Sequence, residues 1–231
     1  MKKKIVVLTG AGISAESGIK TFRDADGLWE GHDVMEVASP QGFANNPELV
    51  LDFYNQRRRQ LLDVNPNAAH VSLVSLEELF DVTIITQNVD DLHERAGSSK
   101  VHHIHGELLK VRCTRNENLI LNWNSDLVLG DLSSEGFQLR PHIVWFGEQV
   151  PLLETAIDIT SQADILIIIG TSMQVYPAAG LIHEVTPNTP IFFIDPKPSV
   201  SQNDYRNIKI ITDSAVNGVP NLVTSLLDTT I

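Results

Sequence analysis

Five short apolar runs punctuate the chain: Ile5–Leu8, Val82–Ile85, Ile165–Ile169, Ile191–Ile194 and Ile208–Ile211. Each is rich in β-branched side chains and continuous rather than alternating, which suits strands buried on both faces of a parallel sheet. Helical spacing fills the intervals. Pro47 to Leu62 carries Leu49, Val50, Phe53 and Leu61; Asn67 to Phe80 carries Val71, Val74, Leu76, Leu79 and Phe80, with Asn67 a candidate N-cap. Pro151 to Ala163 and Val216 to Leu227 read the same way. Strands alternating with helices predict an α/β fold with a parallel sheet.

Two stretches break the alternation. Residues 23–80 hold loop and helix although the sheet has begun at Ile5, and residues 111–140 are polar and irregular. Both read as excursions that rejoin the sheet. The expectation is one domain over residues 1–231. Its larger sheet part would take residues 1–24, 81–110 and 141–231, and a helical segment 25–80 with segment 111–140 would form a smaller lobe across a cleft.

Composition narrows the function classes. A length of 231 residues fits one large domain or a domain with an insertion. A net charge of −12 argues against a nucleic-acid partner, because phosphate binding relies on clustered Lys and Arg. The single Cys113 allows no internal disulfide and points to a reducing, cytoplasmic setting. No apolar stretch is long enough to span a membrane, and the run after Lys2-Lys3-Lys4 is too short for a signal peptide.

Candidate chemistry gathers where the apolar runs end. Ile5 to Ala15 reads as a strand entering a G-x-G-x-x-A turn (Gly10, Gly12, Ala15) and a helix start, where glycines let backbone approach a phosphate. The acidic second strand of a dehydrogenase is missing, and a tight turn without a ligand is the alternative. Thr86-Gln87-Asn88-Val89-Asp90-Asp91-Leu92-His93 follows the second run. Its amides and carboxylates suit a carboxamide and sugar hydroxyls, or they cap a helix. Val101-His102-His103-Ile104-His105-Gly106 leaves three readings open: a metal site lacking a third ligand, a structural histidine, or a general base. Gly170-Thr171-Ser172 and Asp195 again place polar groups at strand ends.

Taken together, Gly10-Ala-Gly-Ile-Ser-Ala-Glu-Ser-Gly-Ile19, Phe22-Arg23, Thr86-Gln-Asn-Val-Asp90, His105-Gly106, Val144-Trp-Phe-Gly-Glu148 and Gly170-Thr-Ser172 resemble the sirtuins, the NAD-dependent protein-lysine deacylases. The likeness follows the family's order over nearly the whole chain and is strongest to bacterial CobB-like members. It implies a Rossmann-like sheet domain with helices on both faces, a small lobe, and NAD as co-substrate meeting an acyl-lysine protein or peptide in the cleft. Gly10, Ala11, Gly12 and Arg23 would then contact the pyrophosphate side, and Phe22 would shield the reacting face. Gln87 would bind the nicotinamide ribose, and Asn88 and Asp90 would hold the nicotinamide. His105 would be the general base, while Gly170, Thr171, Ser172 and Asp195 would line the adenosine half. Val144, Phe146, Gly147 and Glu148 would pair with the substrate backbone opposite Val175 and Tyr176, as flanking strands. The products would be nicotinamide, free lysine and O-acyl-ADP-ribose.

Tyr54 and Arg57 stand three apart on a predicted helix and share a face. This Tyr-x-x-Arg, with a small Ala25, resembles family members that remove succinyl and malonyl groups, since Arg and a Tyr hydroxyl suit a carboxylate. The alternative is a solvated basic face, as at Arg58 and Arg59. The chain departs from the family in lacking four zinc cysteines, so no zinc is expected. Leu119, Ile120, Leu121, Trp123, Leu127 and Leu129 would instead pack as an apolar cluster. Competing readings are an ADP-ribosyl transferase, a silent NAD-binding module and, distantly, a dehydrogenase.

Overall fold

The structure, a computed structural model, describes residues 2–20, 28–29 and 31–229. Eleven strands occur among them: β1 (Lys4–Thr9), β2 (Leu28–Trp29), β3 (His32–Asp33), β4 (Asp81–Thr86), β5 (Val101–His103), β6 (Gly106–Cys113), β7 (Ile120–Asn122), β8 (Leu139–Ile143), β9 (Ile165–Ile169), β10 (Ile191–Ile194) and β11 (Ile208–Ile211). The helices are α1 (Val34–Val37), α2 (Pro40–Asn45), α3 (Pro47–Asp63), α4 (Ala68–Ser75), α5 (Leu92–Ala96), α6 (Leu153–Ser161) and α7 (Ala215–Asp228). All five apolar runs form strands. They join β5 in one sheet of order β11-β10-β9-β1-β4-β5, parallel throughout.

Register sets the site. Thr9 pairs with Thr86 on one side and Ile169 on the other, Ile169 pairs with Ile194, and Thr86 with His103. The strands therefore end level, and Gly10, Gln87, Gly170 and Asp195 emerge along one edge. The chain crosses from β1 to β4 on one side and reaches β9 on the other, which makes that edge a switch point. Continuous apolar strands follow from burial on both faces. Ile5, Val7, Ile84, Ile167 and Ile169 pack with α4 and α7, whereas Val6, Leu8, Ile85, Leu166 and Ile168 pack with α6 and the turn at Ala178–His183.

A smaller antiparallel sheet, β7-β6-β8, packs with α3 through Phe53, Tyr54, Leu61, Leu108, Ile143 and Trp145. Three details differ from the sequence reading. Helix α4, within the segment expected for the small lobe, covers the main sheet, because its Ala69 and Leu73, with Leu76 just past its end, pack with Ile5 and Val7. The apolar cluster expected in 119–129 is reduced to Leu127, with Trp123 packing partly against Leu51, Val111 and Leu139. Ile120, Leu121 and Leu129 are exposed, since β7 is a three-residue edge strand that covers nothing. The turn after Gly10 opens no α-helix either. It makes two 3-10 turns, Ala11–Ile13 and Ala15–Ser17, closed by Gly18 in the left-handed region.

Candidate active site

Three glycines interlock at the end of β1. The Gly10 N–H donates to the Ile169 carbonyl at 3.0 Å and the Gly12 N–H to the Gly170 carbonyl at 2.8 Å. A Cβ on Gly12 would lie 2.6 Å from Gly170 Cα, and Gly170 holds a positive φ of 61° with its Cβ position filled by the Gly12–Ile13 backbone. Only bare backbone fits here, and it leaves a surface that a ligand can approach closely. Gln87 Nε2 donates to Thr171 Oγ1 at 3.1 Å, tying the ends of β4 and β9 together. Asp195 is buried beside this edge and accepts the Lys197 N–H at 2.8 Å.

Beneath the glycines runs a buried polar chain. Asn88 Nδ2 donates to Ser14 Oγ at 3.2 Å, and Ser14 Oγ donates to Asp90 Oδ2 at 3.0 Å. Asp90 Oδ1 accepts the Leu92 N–H at 3.2 Å and so bonds the first residue of α5, although the N-cap residue itself, Asp91, makes no side-chain cap bond. Burial raises the Asp90 carboxyl to about 6, against the lowering effect of the Leu92 and Ser14 hydrogen bonds. Thr9 Oγ1 lies 2.8 Å from Thr86 Oγ1 and 3.1 Å from His93 Nε2. The His93 ring sits 4.9 Å from that of His70, whose Nε2 lies 3.5 Å from Ser14 Oγ. Burial holds both rings neutral, lowering His70 to about 4 and His93 well below its ordinary value. Thr9 and His70 are absent from the sequence-derived site, and Thr86 and His93 stand in its strand-end motif with no role assigned. His70 carried one usable signal, its place three residues after Asn67 in a capping box.

The histidine run separates by hydrogen bonding. His103 Nδ1 faces the Asn88 carbonyl at 3.0 Å and Nε2 faces Glu94 Oε1 at 2.7 Å. Two acceptors demand two protons. Burial alone would lower the His103 pKa, but Glu94 and the Asn88 carbonyl outweigh it and raise it. His105 lies past β5, in the turn between the two sheets, with Nδ1 3.1 Å from the Gln87 carbonyl. A carbonyl only accepts, so Nδ1 carries the proton and Nε2 keeps its lone pair. Burial lowers the His105 pKa more than that carbonyl raises it, so the ring is neutral near pH 7.

Segment 144–148 leaves β8 as a loop rather than a strand, and 175–176 is also irregular, with Tyr176 70% exposed. The Val144 N–H donates to the His105 carbonyl and the Phe146 N–H to the Ala38 carbonyl, each at 2.9 Å. Glu148 turns inward. Its carboxylate takes Arg140 Nη1 at 2.6 Å, Arg112 Nη2 at 3.0 Å and the Trp145 N–H at 2.8 Å, so it anchors the loop. Tyr54 is 1% exposed and its hydroxyl accepts from Trp145 Nε1 at 2.9 Å. Arg57, on the same helix, lies 3.7 Å over the Phe53 ring and donates to the Phe53 carbonyl. Phe22, Arg23 and Ala25 lie outside the described residues.

Cys113 Sγ accepts from Ser133 Oγ and from the Arg115 N–H, each at 3.4 Å. Among the described residues, no three His, Cys, Asp or Glu side chains converge as metal ligands. No described helix is long and apolar enough to cross a membrane.

Known proteins are similar to this chain. The Sir2 family model matches residues 10–177. A Helicobacter pylori protein named NAD-dependent protein deacylase is 59% identical over 98% of each chain. One of the same name from Bacteroides thetaiotaomicron is 53% identical, covering 95% of this chain and 96% of its own. A Sir2 homolog–NAD complex superposes with a TM-score of 0.87 at 39% identity, covering 99% of this chain and 91% of that one. Sir2 bound to acetylated peptide gives 0.78 at 30% identity, over 97% and 93%. The glycine cradle, the amide cluster and the lone basic nitrogen thus stand in a chain that belongs to the Sir2 family.

Proposed function

We propose that this protein is an NAD-dependent protein-lysine deacylase that gives nicotinamide, free lysine and O-acyl-ADP-ribose. The observation that carries the reading is His105, a neutral imidazole whose Nδ1 proton is engaged by the Gln87 carbonyl, leaving Nε2 as the basic atom at the sheet edge. The cradle of Gly10, Gly12 and Gly170, where a Cβ would collide, fits the close approach of a pyrophosphate. NAD, when bound, supplies an electrophilic glycosidic carbon and a departing nicotinamide. The chain's residues do the rest. Ala11 and Gly12, with Arg23, hold the pyrophosphate, and Phe22 shields the reacting face. Gln87 orients the ribose, its amide steadied by Thr171. Asn88 and Asp90, linked through Ser14, hold a carboxamide in a site largely shut off from water. His105 accepts a proton at Nε2 from a ribose hydroxyl. Thr171, Ser172 and Asp195 meet the adenosine half.

The acyl-lysine peptide lies between loop 144–148 and Val175-Tyr176. The N–H groups of Val144, Trp145, Phe146 and Glu148 are engaged within the protein, so the loop pairs with peptide through its carbonyls and the Gly147 N–H. Tyr54 and Arg57 face the acyl group and extend activity from acetyl to succinyl and malonyl lysine. The lone Cys113 supports a cytoplasmic location. The test is mass spectrometry of protein, NAD and matched acetyl- and succinyl-lysine peptides. Both peptides are expected to lose their acyl group only with NAD present. Transfer of ADP-ribose onto protein, or NAD binding without turnover, would overturn the reading.

A further inference from the structure

Behind Tyr54 lies a set of contacts that deacylation chemistry leaves without a role. Trp145 is 2% exposed, and its indole N–H points at the Tyr54 oxygen. An indole N–H can only donate, so that oxygen must accept and the phenolic proton must point elsewhere. Among the described residues no acceptor takes that proton. Burial chiefly raises the Tyr54 pKa, against lowering by the Trp145 bond, Arg140 and Arg57, so the hydroxyl keeps its proton.

The indole is itself fixed. Arg140 lies 3.3 Å from the Trp145 ring centroid, Phe43 tilts against it at 5.3 Å, and the Trp145 backbone N–H donates to Glu148 Oε2. Glu148 in turn holds Arg140 with both oxygens and Arg112 with one. A buried donor lacking an acceptor is unfavourable until something supplies one.

We propose that Trp145 is a specificity-positioning residue: by filling the acceptor side of Tyr54, it turns the hydroxyl proton toward the acyl chain, favouring acyl groups that end in a carboxylate. The inference rests on the reading that Tyr54 and Arg57 face the acyl group. An acetyl group is too short to carry a second acceptor, so the bond discriminates among acyl lengths rather than serving the reaction as a whole.

The experiment measures kcat/KM for succinyl and acetyl peptides in wild type, Trp145→Phe and Tyr54→Phe. Phe keeps an aromatic ring but removes the N–H. Each variant is expected to lower the succinyl-to-acetyl ratio about 5- to 20-fold. A merely structural Trp145 would lower both activities together and leave the ratio unchanged, which overturns the inference. If Tyr54→Phe lowers the ratio and Trp145→Phe does not, the inference fails while the reading of Tyr54 stands. If Tyr54→Phe leaves the ratio unchanged, that reading fails and the inference falls with it. Should Trp145→Phe not fold, the wild-type indole N–H resonance of Trp145 decides. A shift larger with bound succinyl than acetyl peptide supports the inference, and equal shifts overturn it.

Discussion

The half of the site assigned to NAD and the half assigned to the acyl group are built from different materials. The first is backbone and small groups: three glycines in mutual contact, and a chain of hydroxyl, amide and carboxyl groups beneath them. The second is large side chains, with Trp145 packed against Tyr54 and Arg140, and Arg140 paired with a partly buried Glu148. The glycine half has no room for even a methyl group, whereas changes in the aromatic half are expected to alter selectivity by increments. A fixed cofactor calls for the first construction, and a variable acyl group suits the second.

Breaking the NAD half chemically should give the largest effect. His105→Ala is expected to cost about 10²–10⁴-fold in kcat/KM, the ordinary worth of a general base, with an unchanged melting curve. Because the His105 pKa is lowered, the acid limb of the wild-type profile should fall below the ordinary histidine value of 6.5 and vanish in this variant. Breaking the acyl half at its anchor comes next. Glu148→Ala strands Arg112 and Arg140, both largely buried, and should destabilise by about 2–4 kcal/mol in chemical denaturation.

Asp90→Asn sharpens the contrast by pulling stability and activity apart. An acid whose pKa is raised on folding ionises at a cost, so the wild type loses stability as pH rises from 3.8 to about 6. The variant should therefore be about 1–2 kcal/mol more stable at pH 8, little changed near pH 4, and less active. Denaturant midpoints and steady-state rates at those pH values check it. The smallest effect belongs to His103, whose raised pKa acts in the opposite sense. Its contribution is full below the unfolded value and fades as pH rises through the folded one. His103→Gln should cost about 1 kcal/mol at pH 6 and less at pH 9, the exposed Glu94 partner limiting the gain.

The central strands β1, β4, β9 and β10 were legible because they are largely buried on both faces, which writes a continuous apolar run into the sequence. The sheet's level carboxyl edge follows from parallel register, so Gly10, Gln87, Gly170 and Asp195 were readable as neighbours. The roles of the histidines were not. His103 and His105 differ only in what their nitrogens meet, an Asn88 carbonyl with Glu94 or a Gln87 carbonyl alone. The pairings of Thr9, His70 and His93 were hidden because buried polar contacts join residues some 56 to 84 positions apart. Glu148 looked like a substrate contact by its motif, and only the three-dimensional approach of Arg112 and Arg140 turns it inward.

The central claim is that lysine deacylation and NAD cleavage are one reaction. Counting nicotinamide, free lysine peptide and O-acyl-ADP-ribose from a single incubation tests it most directly. The account predicts equal amounts of all three at every time point. Free lysine formed with released carboxylate and intact NAD would contradict it.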